Sequence, residues 1–327
     1  MAKFYVVQPA ADAEGDLTNA ITYVSETLPQ DICSLDPGEY RVAALDYATG
    51  SYTLEPPTVT SLVGSLFGSG QKGAFYVTQP VVEGQQALYI DEGMTVPVTA
   101  DGDPVGLMID QSGNGNSAAQ SISAARPTYN TSPDRLSLDK VDDALIVTVP
   151  AGGWTGTMVL ATDQGTASYG VSIPAGAYEL GGVDFPGNAI VGVVFRDGAL
   201  SAGEKADVEA YFTGNGAMAS YGTVVDFANF WRDHSEITEF PLIDTSSGTD
   251  FGFAWRGCSS LTSFPLIDTS SGTSFYLAWY NCNSLTSFPL IDTSSGTSFS
   301  STWSYCTSLT SFPLIDTSSG TSFYQKQ

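Results

Sequence analysis

The sequence predicts a mainly β protein in three parts: an N-terminal β domain over residues 1–57, a compact β-sandwich with its linker over 58–222, and a repeat solenoid with short helical segments over 223–327. Three observations support this prediction. Glycine, proline, serine and threonine recur in every segment, as is typical of short strands joined by turns. Several short segments alternate apolar and polar residues, and the C-terminal part repeats itself every 24 residues.

The charge and the apolar pattern exclude several classes of partner. The chain has 11 basic and 35 acidic side chains, which give a formal net charge of −24. Nucleic acids and anionic membrane surfaces need clustered Lys and Arg, so neither is an expected partner. The longest apolar run, Ala189 to Phe195, is far shorter than the ~20 residues of a membrane-spanning helix. The residues after Met1 lack the apolar stretch of a signal peptide, so we expect synthesis in the cytoplasm and no membrane insertion.

The first region predicts a pair of strands. Glu39 to Leu45 and Ser51 to Leu54 alternate like paired strands around Ala48-Thr49-Gly50, and Pro56-Pro57 then ends the region. A β domain ahead of projecting modules is a natural anchor to a larger assembly, by analogy of architecture.

The second region carries four motifs in a defined order. They are Leu66 to Tyr76, Val96 to Leu107, Asp110 to Asn116 and Ala125-Arg126-Pro127-Thr128, and the first three are rich in glycine. This order resembles a module of bacteriophage and prophage virion proteins, which usually precedes a laminin-G or concanavalin-like β-sandwich. Leu136 to Asp143 resemble the first strands of that sandwich, and the resemblance covers Ser65 to Met218. The chain from Val149 to Arg196 is too short for a full-sized sandwich, so no sugar site is carried over from that family.

One helix is predicted at the end of the second region. Ser201 and Glu204 have the spacing of a capping box, which marks a helix N-terminus. Val208, Tyr211 and Phe212 share one face of that helix, and Gly214 is its stop signal.

The third region is built from aligned columns. Each unit predicts an extended segment such as Leu261 to Ile267, an Asp-Thr-Ser-Ser-Gly turn, and a helix-like stretch with Trp and Cys. Stacked units would bury ladders of Leu, Phe, Ile, Trp and Cys, with strands about 4.8 Å apart. The columns are Trp231, Trp255, Trp279 and Trp303; Phe240, Phe264, Phe288 and Phe312; Asp244, Asp268, Asp292 and Asp316; Gly248, Gly272, Gly296 and Gly320; and Cys258, Cys282 and Cys306.

Comparison of the repeats separates a constant scaffold from variable columns. Ser260 to Phe275 recurs unchanged from Ser284 and from Ser308, whereas the residues beside each Trp vary, and we expect these to face outward. Aromatic and amide side chains on a constant scaffold are typical of a recognition surface. Neutral drift at exposed positions would give the same pattern and is the alternative. The candidate binding residues are Phe253, Arg256, Tyr276, Leu277, Tyr280, Asn281, Ser304 and Tyr305.

The units from Ile237 to Phe323 share the turn Ile-Asp-Thr-Ser; Leu-Thr-Ser begins at Leu261, Leu285 and Leu309, and an aromatic-x-x-Cys stretch begins at Trp255, Trp279 and Trp303. These motifs resemble the leucine-rich repeats of the BspA-like surface-protein family, which more often has Met-Phe at the positions of Trp255, Trp279 and Trp303. The resemblance implies a leucine-rich-repeat β-solenoid. A cell-surface adhesin of that type is disfavoured by the lack of a predicted signal peptide.

Two places have features of a calcium site. Asp110-x-Ser112-x-Asn114-Gly115 has the opening spacing of a calcium loop, but Ser121 stands where that loop needs a bidentate acid. In the Asp column, like charges about 5 Å apart repel by only ~1 kcal/mol in water, so turn-capping alone explains them. We favour turn-stabilising side chains in both places, with calcium as the alternative. No other cofactor is expected.

No catalytic centre is predicted, and we expect that the protein is not an enzyme. Asp142 and Asp143 fall on an expected strand, where adjacent side chains point to opposite faces and cannot act as a glycosidase pair. His234 is the only histidine and occupies the cysteine column, which indicates a packing residue and leaves no triad. The four cysteines, Cys33, Cys258, Cys282 and Cys306, are expected to be buried, reduced core residues.

The resemblances together imply a bacteriophage virion protein, a tail fibre, head fibre or spike adhesin that binds the host surface through the repeats. Its expected partners are other virion proteins, reached through the N-terminal region, and a host cell-surface glycan or protein. A homo-oligomer is expected, since many copies on one particle multiply modest affinities. A structural decoration or joining protein without receptor binding is the alternative. A polysaccharide depolymerase is disfavoured because no acid pair is evident.

Overall fold

A computed structural model describes residues 57–183 and 185–323 in full, and the backbone of four strands ahead of them. Those strands form one antiparallel sheet in the order β2-β1-β3-β4, with bounds β1 Lys3–Pro9, β2 Ile21–Ser25, β3 Tyr40–Asp46 and β4 Ser51–Leu54. The predicted pairing between the third and fourth of these strands is confirmed, with Ala43 opposite Leu54 and Asp46 opposite Ser51. The predicted turn Ala48-Thr49-Gly50 lies outside the described residues, as does Cys33.

Two larger antiparallel sheets follow. The smaller has the order β16-β13-β10-β9-β8 and the larger β11-β12-β17-β14-β15-β18, with β5 paired to β17. A hairpin of β6 (Val81–Val82) and β7 (Gln85–Gln86) stands apart. The strand bounds are β5 Gly73–Val77, β8 Leu88–Tyr89, β9 Leu107–Met108, β10 Ala118–Ala119, β11 Thr128–Asn130, β12 Arg135–Ser137, β13 Ala144–Val149, β14 Trp154–Thr162, β15 Thr166–Ile173, β16 Gly176–Gly181, β17 Ala189–Asp197 and β18 Ile237–Glu239.

Strand β17 explains the longest apolar run of the sequence. It lies inside the large sheet, so both of its faces are buried. Ile190 and Val193 face a core that the two sheets share, whereas Val191 and Val194 face a second core on the other side of the large sheet. Central strands covered on both faces have this kind of continuous apolar sequence.

The second core is covered by the two α-helices of the described residues, α1 (Val59–Phe67) and α2 (Ala202–Gly214). The predicted helix is confirmed as α2: Ser201 and Glu204 form the capping box, and Val208, Tyr211 and Phe212 are buried. Gly192 of β17 lets this helix approach, because a Cβ there would lie 1.9 Å from the Phe212 ring. A short 3-10 helix, Ser123–Ala125, completes the helical structure of these residues.

The repeats stack on one another and share a core with the two sheets. The rings of Trp231, Trp255 and Trp279 are parallel, with successive centroids 5.5 and 4.9 Å apart. The first repeat joins the large sheet directly, because β18 pairs with the edge strand β15. The Trp231 indole N–H also donates to the Tyr169 hydroxyl at 3.0 Å.

The helix-like stretches predicted in the repeats are wrong, and successive turns take their place. No helix lies in the described residues after α2. Alternate backbone N–H groups point along the stack: Phe253 N–H donates to the Tyr276 carbonyl at 2.8 Å and Trp255 N–H to the Ala278 carbonyl at 2.9 Å. An α-helix would keep all these donors within its own segment. Phe253 adopts a left-handed φ of 60° in this arrangement, and Leu277, its equivalent one repeat later, has a φ of 54°.

The extended segments are also less regular than predicted. In the described repeats only β18 is a strand, and the following units are joined by single parallel bridges such as Asp250 with Ser274. Proline follows the phenylalanine of each segment and cannot donate to a ladder, which limits strand pairing there. Two columns of leucines run along these segments. Leu261 and Leu285 are fully buried and Leu309 packs against the core, as expected for a buried leucine ladder. The other one, called the leucine column below, is exposed: it consists of Leu242, Leu266, Leu290 and Leu314, with 61 to 97% of each residue exposed.

Candidate recognition surface

The variable columns bring aromatic and arginine side chains into contact on the repeats. The Arg232 guanidinium lies 5.9 Å from the centre of the Phe253 ring, and that ring meets Tyr276 edge to face at 5.0 Å. Arg256 lies 5.8 Å from the Tyr280 ring centre, and Tyr280 meets Tyr305 edge to face at 5.1 Å. The aromatic–arginine strip is therefore defined as Arg232, Phe253, Arg256, Tyr276, Tyr280 and Tyr305.

The strip also holds the only basic side chains of the repeats. Arg232 and Arg256 are the sole Lys or Arg residues between Val224 and Phe323. Asp233 lies between them, 3.3 Å from Arg232 and 3.4 Å from Arg256. Both guanidiniums therefore contact the same carboxylate. Stacked guanidinium and aromatic groups can contact both sugar rings and polypeptide.

The exposure of the predicted site residues differs along the strip. Tyr276 and Tyr305 have 41% and 45% of their surface exposed, whereas Tyr280 is half-buried. Phe253, Arg256, Leu277 and Asn281 are half-buried as well. Tyr276 and Tyr305 therefore offer the most accessible contact surface of the strip.

Ser304 corrects the prediction that all of these columns face outward. Only 8% of this residue is exposed. Ser300 and Ser301, which occupy the columns of Tyr276 and Leu277 in the next repeat, are buried too. A serine side chain is short, so neighbouring side chains cover it where a tyrosine at the same column would reach the surface. The Ser304 carbonyl instead accepts the Asn281 N–H at 2.9 Å within the stack. Ser304 therefore belongs to the scaffold.

Arg232 and Asp233 were not predicted as site residues. They stand one repeat before Arg256 and Gly257 in the same columns. The 24-residue spacing from Arg232 to Arg256 is the sequence feature that indicates Arg232. The first repeat departs from the consensus of the later ones, which makes this correspondence hard to see.

The Asp110 loop is organised by the carboxylate of Asp110. This carboxylate accepts backbone N–H groups of Phe75 at 3.0 Å, Ser112 at 2.9 Å and Asn116 at 2.9 Å. The Asp column behaves similarly, since Asp292 accepts both the N–H and the hydroxyl of Ser294, and these bonds hold the pKa of Asp292 below its usual value. In both places the carboxylates stabilise turns, as the sequence favoured.

Asp142 and Asp143 do not lie on a strand, contrary to the prediction. They occupy a bend before β13, and their carboxylates converge with that of Asp139, with ligand atoms within 4.8 Å of one another. Asp139 accepts the Val141 N–H at 2.8 Å, and Asp143 accepts the Asp139 N–H at 2.9 Å, which closes the bend. Burial raises the pKa of Asp143, and the neighbouring charges of Asp139 and Asp142 raise it further.

His234 is more than a packing residue. Its Nδ1 lies 2.7 Å from the Glu236 carboxylate, which also accepts the Tyr178 hydroxyl at 3.0 Å. Burial alone would raise the pKa of Glu236, but His234 and the hydrogen bonds lower it below its ordinary value. Tyr178 lies on β16, whereas His234 and Glu236 belong to the first repeat. The contacts among these three side chains therefore join the first repeat to β16.

The repeat cysteines form a reduced column. Cys258 and Cys282 are buried and Cys306 is half-buried, and none is in a disulfide. Each thiol donates to the carbonyl of a tryptophan in the previous repeat, as Cys282 does to Trp255 at 3.1 Å. Burial raises the pKa of all three, that of Cys306 to about 11. The expected core role is confirmed for these three residues.

No protein-family model matches the chain, and no curated protein or solved structure is significantly similar to it. Among the described residues, no helix has the length and apolar character needed to cross a membrane.

Proposed function

We propose that the chain is a bacteriophage virion protein, a fibre or spike adhesin whose repeats form a leucine-rich-repeat solenoid that recognises the host surface. The aromatic–arginine strip carries the proposal. Its exposed tyrosines, its stacked arginines and its repetition along the stack provide several similar contact patches on one chain. Tyr and Arg are enriched among residues that dominate binding energy.

Binding would rest on many weak contacts. Each chain offers a short row of patches, and a particle with many copies would multiply modest affinities through effective concentration. In this arrangement the N-terminal sheet is the anchor to other virion proteins. The two-sheet region is a truncated laminin-G or concanavalin-like sandwich that spaces the repeats from that anchor.

A second candidate function is that of a structural decoration or joining protein. The exposed leucine column favours it, because a row of four apolar side chains is a surface that a neighbouring subunit could cover. In that case the repeats would pack within the particle rather than bind the host.

Two matched variants separate these functions. The first replaces Tyr276, Tyr280 and Tyr305 with serine, and the second replaces Leu266, Leu290 and Leu314 with serine. Both remove three partly exposed apolar side chains from the repeats. The adhesin proposal predicts that the tyrosine variant loses adsorption to host cells while the leucine variant retains it. Normal adsorption of a folded tyrosine variant would refute it, and failure of the leucine variant to enter particles would favour the structural role.

A further inference from the structure

A cleft of about 540 Å³ lies where the large sheet, helix α2 and the first repeat meet. Strand β15 forms its floor, α2 forms one wall, and the chain after β18 forms the other. None of the strip residues lines it. Small-molecule sites of ~300–1,000 Å³ commonly occur at junctions between structural units.

The floor of the cleft is polar because of the alternation of β15. Ala167 and Tyr169 have their side chains in the shared core, so Thr166, Ser168 and Gly170 face the other side, where the cleft lies. Gly170 leaves room for its cross-strand partner Glu239. A Cβ at Gly170 would lie 2.8 Å from the Glu239 Cβ.

The walls of the cleft carry three carboxylates and one amine. Glu209 accepts the Ser168 hydroxyl at 3.0 Å, and Asp244 accepts the Ser246 N–H at 3.1 Å. The exposed Glu239 carboxylate and the half-buried Lys205 amine have no hydrogen-bond or ion-pair partner among the residues that the structure describes. The cleft therefore holds one unused acceptor group and one unused donor group.

The rim next to these groups is apolar. Leu242 and Pro241 border the cleft, and 73% of Leu242 is exposed. A ligand that fits this lining has hydroxyls for the carboxylates, an oxygen acceptor for Lys205, and a C–H face for the leucine. Three acids against one base disfavour an anionic ligand.

We propose that this cleft binds a short neutral saccharide, at a site separate from the aromatic–arginine strip. The proposal does not depend on the adhesin function, since a structural protein could carry the same site. Vicinal hydroxyls donate to Glu239 and Glu209, Lys205 donates to a ring or hydroxyl oxygen, and the C–H face of the sugar packs on Leu242.

The test is saturation-transfer NMR on the full chain with glucose, galactose, mannose, lactose and maltose, and with glucuronate as the anionic counterpart. We expect at least one neutral sugar to bind and glucuronate to bind at least about tenfold more weakly than glucose. Glu239→Gln keeps the shape of the side chain and should weaken binding by about tenfold, because a charge-assisted hydrogen bond becomes a neutral one. Lys205→Met, on the exposed side of α2, is the second variant and should also weaken binding.

Four results would overturn the proposal. They are the absence of transfer to every neutral sugar, equal binding of glucuronate and glucose, unchanged affinity in both folded cleft variants, and loss of saccharide binding in the triple tyrosine variant. The last result would place the saccharide on the strip. A tyrosine variant that no longer adsorbs to host cells but still binds the saccharide would support both the adhesin proposal and the cleft proposal.

Discussion

Replacing Trp279 with alanine should destabilise the protein by about 4–5 kcal/mol. Trp279 is fully buried, between the parallel rings of Trp255 at 4.9 Å and Trp303 at 5.8 Å. Phe264 and Phe288 meet it edge to face at 5.2 and 4.9 Å. Truncation of a buried Trp or Phe to Ala costs ~3–5 kcal/mol, and the upper part of this range applies because flat rings held by their own repeats cannot collapse into the cavity.

Phe312→Ala is the matched control. Phe312 belongs to the same ladder system, with Trp303 at 4.9 Å and Phe288 at 5.8 Å, but 44% of it is exposed. Its truncation removes about half as much buried surface, so we expect a loss of only about 1–2 kcal/mol.

Urea unfolding followed by far-ultraviolet circular dichroism measures both free energies, and it does not depend on the fluorescence of the deleted tryptophan. We expect a clearly larger loss of unfolding free energy for Trp279→Ala than for Phe312→Ala. Equal losses, or a loss below about 1 kcal/mol for Trp279→Ala, would refute the stacked aromatic core of the repeats.

Three further predictions concern single groups. In a Cys33→Ser variant, a thiol reagent at about pH 8 should leave Cys258 and Cys282 unmodified until urea is added, because burial raises their pKa above that of a free thiol at ~8.5; modification in the native state would contradict this. Glu236 has a folded pKa below its unfolded value of ~4.3, so its contribution to stability is present above that value and is lost as pH falls through the folded pKa. Glu236→Gln should therefore reduce the free energy of unfolding at neutral pH and have a shrinking effect below about pH 4, and a pH-independent difference would argue against an ionised Glu236. Ser201→Ala removes the cap of α2 and should cost about 1 kcal/mol in urea unfolding, with Ser201→Thr as the control that keeps the hydroxyl.

Several elements could be predicted because their signals are local. The capping box of α2 depends on residues three apart, and the Trp, Phe and Cys ladders follow from a repeat that aligns with itself. In these places local sequence and packing point to the same structure.

The turns of the repeats could not be distinguished from helices by pattern alone. An aromatic residue and a cysteine three apart, such as Trp255 and Cys258, share a face in either structure. The difference lies in the direction of the backbone N–H groups, and the neighbouring repeat decides it by offering carbonyls along the stack. The exposure of the leucine column has a similar origin, since stacking buries one side of the extended segment and leaves the other to solvent.

Alignment of the repeats predicted some residues of the candidate site but not the burial or contacts of the others. Repeat comparison locates Tyr276, Tyr280 and Tyr305 correctly beside the Trp column, but it does not reveal that the short Ser304 is covered by its neighbours. Nor does it show that Asp139 joins Asp142 and Asp143, because the bend that brings them together is set by hydrogen bonds to Asp139. Side-chain length and turn geometry decide these details.

The most direct test of the proposed recognition surface is hydroxyl-radical footprinting of the protein with and without host cells. The exposed side chains Tyr276 and Tyr305 react when the protein is free, as does Leu290 of the leucine column. If the strip binds the host, cell binding protects both tyrosines and leaves Leu290 reactive. Protection of Leu290 with both tyrosines still reactive would contradict it and would move the contact surface to the leucine column.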